Sequence, residues 1–433
     1  MLFRSTSSEA ETVSFKEAVL RCLPDGGLYV PASLMDLRQF FLYMNSGTTY
    51  PELVASVAPI MLQGELNPFS ASRVAESAFD FEPELVRLDD RYSLLTLYNG
   101  PTGVFKDFGI AFLAAVLEEL LKNSGRAMLI SASRGDTGVS IASAFARRRG
   151  MISVILYPSG PIRGLKPADF VPNGGNIIPI QVRGTFEDCQ NLVRAVINDR
   201  PYAERHGITS ANAINIGRLL PQAMYYLYGF IKVKQQLQGD LVFSVPSGNF
   251  GNLMAGLYAW KFGMPVNGFI AAMNRNDPFG DYLRGKPFIP KPTVATRSPA
   301  LDVSSPANFE RLAAFYAEAP AVMRNMVCPA AVDDNATLAA IERVWKTYHV
   351  PIDPHTAVAF AAAEGLSKSF DPLSHIVVLA TGHPAKEAKT MQEATGQVLK
   401  VPHGLALLHE RADPVAIIEP DLVALESAIA SCL

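Results

Sequence analysis

The chain has 433 residues, 49% hydrophobic and 18% charged, with a formal net charge of −3. That length exceeds one ordinary core, so two or three domains are expected, and the near-neutral balance gives no reason for nucleic-acid or membrane binding. Cys22, Cys189, Cys328 and Cys432 form no CxxC pair and have no histidine cluster beside them, which argues against a zinc site or disulfide framework and for a reducing cytoplasm.

The leading segment MLFRSTSSEAETVSF lacks the apolar core of a signal peptide, and no apolar run is long enough to span a bilayer. Residues 1–90 read as a mixed accessory unit. Helical patterns fall near 14–23, 35–45 and 50–62, with a turn at 24–27 and a short apolar run at 28–31. From about 91 strands alternate with helices, the pattern of a parallel sheet covered on both faces. Strands are expected at 127–131, 152–157, 177–182, 241–245, 267–271 and 376–380. Helices are expected at 137–148, 185–198, 252–262, 334–348, 354–368 and 386–394, with one long helix over 213–238 interrupted near Pro221. Residues 274–310, rich in Pro, Asn, Asp and Ser, read as an ordered loop. The predicted fold class is α/β. It has two open, mostly parallel domains at 91–238 and 239–433 behind an N-terminal extension at 1–90.

The chemistry centres on YNGPTGVFKDF at 98–108. Gly100, Pro101 and Gly103 make the approach a constrained turn, and Asp107 takes the place of a helix N-cap before the apolar-periodic stretch 108–121. Lys106 is the only ionisable group in a run of small and apolar residues. Burial and the helix's positive end both oppose its charge, and a less protonated lysine is a nucleophile for aldehydes such as pyridoxal phosphate.

Two glycine-rich loops strengthen this reading. VPSGNFG at 245–251 falls between a strand and a helix, where converging backbone N–H groups and the helix's positive end favour a phosphate. SASRGDTG at 131–138 follows a strand likewise, with Asp136 and Thr137 capping the next helix and Asp136 close enough to contact a ligand. LATGHP at 379–384 places Thr381 in the crevice at the carboxyl ends of the strands. His355 and His383 read as structural residues at helix starts, and the arginines 147–149 as a solvated cluster at a helix end.

Taken together these segments resemble the threonine synthase family, pyridoxal-phosphate enzymes of the tryptophan-synthase-β fold type. The resemblance runs over nearly the whole chain. It includes SFKEAV at 14–19, GPTGVFKDFG at 100–109, RGDTG at 134–138, SANAINIGRLLPQ at 210–222, VPSGNFGNLMAGL at 245–257, ALDVSSPANFER at 300–311 and TGHPAK at 381–386. It implies that Lys106 is the Schiff-base lysine, next to Phe105. It further implies that Ser247, Gly248, Asn249, Phe250, Gly251 and Asn252 hold the cofactor phosphate, that Asp136 lies near the 3-hydroxyl, and that Thr381 bonds the pyridine nitrogen. The implied reaction converts O-phosphohomoserine and water into threonine and phosphate. A phospho-lyase or replacement enzyme acting on another amino acid, and a non-catalytic homologue, are the alternatives. The implied assembly is a monomer or homodimer.

Three departures from the family pattern face the substrate side. Asn99 stands where the family has His, Ser133-Arg134 replaces Thr-Ser, and Ser159, Gly160, Pro161, Ile162 and Arg163 replace Arg-Gly-Lys-Ile-Ser. Candidate substrate contacts are accordingly Asn99, Thr102, Ser133, Arg134, Thr137, Arg163, Lys166 and Asn215, with Arg134, joined by Arg163 or Lys166, reading the substrate's anionic group.

Overall fold

A computed structural model describes residues 1–8, 11–123, 125–160, 162–283 and 286–433. Two sheets organise it. The six-stranded sheet runs in the spatial order Val327–Ala331, Gly268–Met273, Leu241–Pro246, His375–Ala380, Tyr92–Thr96 and Glu84–Arg87. All its pairings are parallel except the last, where a tight turn returns Glu84–Arg87 antiparallel to Tyr92–Thr96. The five-stranded sheet is wholly parallel, in the order Ile208–Thr209, Ala127–Ala132, Met151–Pro158, Ile177–Val182 and Ala416–Ile418. Near-continuous Val, Ile, Leu and Ala in the central strands suit burial on both faces, and Ala127–Ala132, Leu241–Pro246 and Gly268–Met273 are buried throughout.

Sheet membership corrects the expected division of the chain. An expected unit of 91–238 puts Tyr92–Thr96 with the lysine-bearing residues, yet this strand pairs with His375–Ala380, Leu94 opposite Val378. Ala416–Ile418, assigned to the other unit, closes the five-stranded sheet, Ala416 opposite Ile180. Apolar alternation shows that a strand is buried in a parallel sheet but carries no information about which sheet.

The N-terminal residues form a small antiparallel sheet of Leu2–Ser5, Thr12–Ser14 and Tyr29–Pro31, which composition did not reveal. The expected helix Tyr50–Met61 starts at a capping box of Thr49 and Glu52, and Pro68–Ala78, a helix not foreseen, is capped by Asn67. Tyr50 and Phe81 from the N-terminal region, with Tyr225 from Ala223–Val233, clamp the helix Lys106–Leu121. Phe108 lies edge-on to Tyr50 at 5.3 Å, to Phe81 at 4.9 Å and to Tyr225 at 5.9 Å. Each such pair adds about 1 kcal/mol beyond burial, so the accessory region holds the lysine helix in place.

Elsewhere the differences are local. The stretch 213–238 divides into Ile216–Leu219, a 3-10 turn Leu220–Gln222 and Ala223–Val233, since Pro221 has no N–H to continue the first helix. The region 274–310 holds a short helix Phe279–Leu283 and a 3-10 turn Pro299–Leu301. The strand Val327–Ala331 escaped detection because Pro329 interrupts its pattern, which is tolerable only because that strand is the sheet edge. Among the described residues no helix is long and apolar enough to cross a membrane, and no cluster of His, Cys, Asp or Glu could hold a metal ion.

Candidate active site

Lys106 occupies the first turn of Lys106–Leu121, directly after the turn that follows Tyr92–Thr96. Asp107 is not the N-cap. That position is Phe105, because the turn closes early enough to bring Lys106 and Asp107 into the helix. Asp107 reaches back instead, accepting from Thr102 N at 2.8 Å and Thr102 Oγ1 at 2.6 Å, while Thr102 also meets Ser140 at 2.8 Å. Gly100 is required for this closure, since a Cβ there would lie 2.8 Å from Asp107 Cβ. The loop is thereby locked from behind.

Lys106 Nζ stands 3.5 Å from Asp136 Oδ2, and Lys386 Nζ lies 2.7 Å from Asp136 Oδ1 and 2.9 Å from Thr102 O. Burial pushes the Lys106 ammonium below its ordinary range; Asp136 opposes this, and Lys386 and Arg218 add to it. Burial alone would raise the Asp136 carboxyl, but Lys106 and Lys386 outweigh burial and hold it well below the usual range. The result is an amine kept reactive beside a carboxylate kept ionised.

Opposite lies the loop after Leu241–Pro246. Phe250, a buried non-glycine residue at φ 56°, turns the chain into the helix Gly251–Lys261. A Cβ on Gly248 would sit 3.0 Å from Ala300 O and 3.1 Å from Leu301 Cα, so a side chain there would force this backbone to give way. Helix geometry leaves the first N–H groups of Gly251–Lys261 unpaired at its positive end, a ready-made anion site. Asn252 Oδ1 accepts from Tyr225 OH at 2.6 Å and Tyr226 OH at 2.7 Å, which orients the amide and leaves Asn252 Nδ2 buried without a partner. Arg218, also buried, donates Nη1 to Ala211 O at 2.6 Å, and its Nε has no partner.

Lysine and cradle share one cavity of about 490 Å³. Its walls include Phe105, Asp136, Gly248, Asn249, Phe250, Gly251, Asn252 and Thr381, and on the open side Ser133, Arg134 and Thr137. Six other expected residues lie off the wall. Ser247 turns inward, N–H to Ala272 O at 2.8 Å and hydroxyl to Val245 O at 2.8 Å, because it still follows the strand's alternation. Thr102 is spent on Asp107. Asn215 is fully buried and binds Val19 O at 2.9 Å and Ser210 O at 2.9 Å, which makes it a cap and a tie to the N-terminal region. Asn99 donates to Glu82 O at 3.0 Å, away from the cavity. Arg163 pairs in a two-residue strand with Arg411, and Lys166 begins a 3-10 turn; both are exposed and neither lines the cavity. Pro161 lies outside the described residues.

Several wall residues were not foreseen as site residues. Phe186, Gln190 and Arg194 fall on one face of Phe186–Asn198 at helical spacing and line the cavity beside Arg134. His355, expected to be structural, does line the wall, yet both ring nitrogens are engaged. Nδ1 faces Asp353 Oδ2 at 2.5 Å and Nε2 accepts Ala300 N at 3.1 Å. Burial lowers its proton affinity, but Asp353 outweighs burial and raises it overall. The arginine cluster is less solvated than expected, since Arg148 is half-buried against Glu118 at 2.5 Å.

These residues fit a phosphorylated aldehyde: an amine with a depressed proton affinity shares one cavity with a glycine-containing loop and the unpaired N–H groups of a helix start. A family model described as pyridoxal-phosphate dependent enzyme matches residues 92–382, the class such a site defines. Models for the threonine synthase N terminus and the threonine synthase C-terminal region match residues 2–79 and 356–429. The threonine synthases of Escherichia coli strain K12 and Serratia marcescens are 36% and 35% identical, over 93% and 92% of this chain and 92% of each of theirs. The crystal structure of the Escherichia coli threonine synthase superposes with a TM-score of 0.88 at 32% identity, covering 100% of both chains. A structure of threonine synthase from Brucella melitensis with pyridoxal phosphate bound gives 0.86 at 28% identity, over 100% of this chain and 99% of that one. The chain belongs to the threonine synthase family of pyridoxal-phosphate-dependent enzymes.

Proposed function

We propose that the protein converts O-phosphohomoserine and water into threonine and phosphate, with Lys106 as both the covalent attachment point of the cofactor and the proton carrier. The observation that carries this reading is the Lys106–Asp136–Lys386 arrangement facing the cradle. Bound pyridoxal phosphate supplies an electron sink for the Cα carbanion. The reaction takes one proton from Cα and one from Cβ, breaks the Cγ–O bond to expel phosphate, delivers a proton to Cγ, adds the hydroxyl of water at Cβ and returns a proton to Cα, the remaining proton leaving on the phosphate. Lys106 is the group placed to take and return those protons, and burial, which lowers its ammonium below the ordinary range, favours the free amine that this role requires. Asp136 keeps the amine in position, and Lys386 fixes Asp136 in turn. Thr381, a neutral hydroxyl on the cavity wall, would hold the pyridine nitrogen without protonating it, which would suit elimination and replacement chemistry. A cytoplasmic monomer or homodimer completes the proposal.

Incubation with O-phosphohomoserine and identification of every product tests it. Threonine and phosphate in equal amounts support the reading; a 2-oxo acid with ammonia points to the lyase alternative instead.

Anion recognition on the open side falls to Arg134 with Arg194, in place of Arg163 or Lys166. The Arg134 guanidinium stacks on Phe186 at 4.9 Å and has one weak bond, to Asp302 O at 3.5 Å, so its donors remain largely available. Arg134→Ser is expected to lower kcat/KM for O-phosphohomoserine by about 10- to 100-fold, mainly through KM, the worth of a charge-assisted hydrogen bond. Unchanged steady-state kinetics remove Arg134 from phosphate recognition.

A further inference from the structure

His355 sits in the first turn of the helix Pro354–Leu366, between two partners whose roles are fixed. The Asp353 carboxylate, with Oδ2 2.5 Å from Nδ1, accepts, and Ala300 N, 3.1 Å from Nε2, donates. Together they dictate a neutral ring with its proton on Nδ1 and a lone pair on Nε2. A second proton would add to Nε2 and set N–H against N–H. The ring can therefore become charged only if Ala300 moves away.

Ala300 is the middle residue of the turn Pro299–Leu301, which packs on the 245–251 loop: Ala300 O and Leu301 Cα are the atoms a Cβ on Gly248 would meet. Carboxylates anchor the chain on either side of this turn. Asp334 Oδ1 accepts Arg297 N at 2.9 Å, and Asp302 Oδ1 accepts Thr296 Oγ1 at 2.7 Å and Asn274 Nδ2 at 2.8 Å. At its centre the tie is the imidazole. That ring lines the cavity, where solvent can deliver a proton. The charged groups that bear on it are Asp353 at its own helix start, Glu387 from Pro384–Glu387, Lys106 from Lys106–Leu121, and Asp136 from Asp136–Phe145 with Lys386 paired to it. Burial opposes charge on the ring, yet Asp353 outweighs burial and lifts its proton affinity above the ordinary histidine value of about 6.5. The carboxylate draws a proton to the ring while the Ala300 amide excludes it.

We propose that neutral His355 is a positioning residue that latches the Pro299–Leu301 turn onto the 245–251 loop, so that the protein releases its cofactor more readily once the ring takes a proton. The proposal rests on the reading that this loop takes the cofactor phosphate. Docking of the turn requires the unprotonated ring. It is therefore complete at high pH and is lost as pH falls through the proton affinity of the undocked ring. The contact is indirect: His355 acts on the loop through Ala300, not by touching a phosphate.

Two readouts on the full chain test it, at about pH 6 and about pH 8, on either side of the ordinary histidine range. One is affinity for pyridoxal phosphate, followed by absorbance; the other is amide hydrogen exchange of the 297–304 segment without ligand. His355→Gln keeps an acceptor for Ala300 N and cannot take the proton, whereas His355→Phe removes the acceptor. Relative to His355→Gln, the wild type is expected to lose about 10-fold in affinity from the higher pH to the lower, the worth of one hydrogen bond. Its 297–304 amides are expected to exchange faster than those of His355→Gln at the lower pH alone. Ionisation of the cofactor's own phosphate cancels in that comparison. His355→Phe is expected to bind about 10-fold more weakly than the wild type at the higher pH, and to exchange fast at both. Parallel pH profiles for the wild type and His355→Gln overturn the proposal, as does proton-dependent exchange with unchanged affinity. Wild-type cofactor retention by Gly248→Val sinks the phosphate-loop reading and this proposal with it, and the exchange data, taken without ligand, tell that failure from failure of the latch itself.

Discussion

Lys106→Ala is expected to reduce kcat by about three powers of ten or more while leaving the fold intact, since it removes both the covalent attachment and the proton carrier. The side chain sits in the first turn of a helix whose buried face is apolar, so truncation leaves the packing of Phe108 and its neighbours unchanged. Lys106→Arg separates charge from nucleophilicity. It can retain a cation beside Asp136, yet a guanidinium neither bonds an aldehyde nor gives up its proton near neutral pH. Both variants are expected to be inactive and to give no adduct after incubation with pyridoxal phosphate and borohydride. In the wild type the same treatment, followed by peptide mass mapping, is expected to label Lys106. An adduct on another lysine reassigns the site.

The second large effect concerns Gly248. A valine there would press against Ala300 O and Leu301 Cα, at 3.0 and 3.1 Å from its Cβ, and these are backbone atoms that cannot rotate away. Either the 299–301 turn or the phosphate loop must move. That turn also receives His355, through the bond from Ala300 N, so the disturbance reaches the wall near Asp353. Gly248→Val is expected to lower cofactor affinity by about 100-fold or more, on the scale of overpacking a tight interior. Ser247→Ala is expected to change it by less than about three-fold, because that hydroxyl bonds Val245 O rather than the cavity. Equal retention of cofactor by the two variants makes the loop a turn and nothing more.

Much of this site could be read before any coordinates. A lysine ringed by glycine, proline and apolar residues, or a glycine-containing turn between strand and helix, has ordinary structural explanations taken singly; their combination in one chain points to a shared site, and Lys106, Asp136, Gly248 and Thr381 all reach the cavity. What escaped was direction and partnership. Ser247 and Gly248 are adjacent, yet one faces the sheet and the other the cavity, a distinction set by where strand alternation stops. Asn215 stands in a motif-like loop but is consumed by Val19 O, 196 positions away. The Asp136–Lys386 pair spans 250 positions, and no local pattern encodes it. Arg194 gave a faint signal, helical spacing with Phe186 and Gln190, which on its own describes any amphipathic helix. The element boundaries near Asp107 moved because a carboxylate can close a turn from inside a helix as well as cap it from outside.

The interleaving of the two sheets bears on synthesis. The ribosome releases Ile177–Val182 long before Ala416–Ile418, and until the latter emerges this parallel edge has open backbone groups. Tyr92–Thr96 waits similarly for His375–Ala380. Neither sheet can be completed from a contiguous half of the message, so the nascent chain carries two unmatched edges through most of translation. Such long-range pairing folds slowly and exposes the intermediate to aggregation and to chaperones. A ribosome stalled before codon 416 is therefore expected to hold a protease-sensitive chain even though Lys106, Asp136 and the 245–251 loop have all been made.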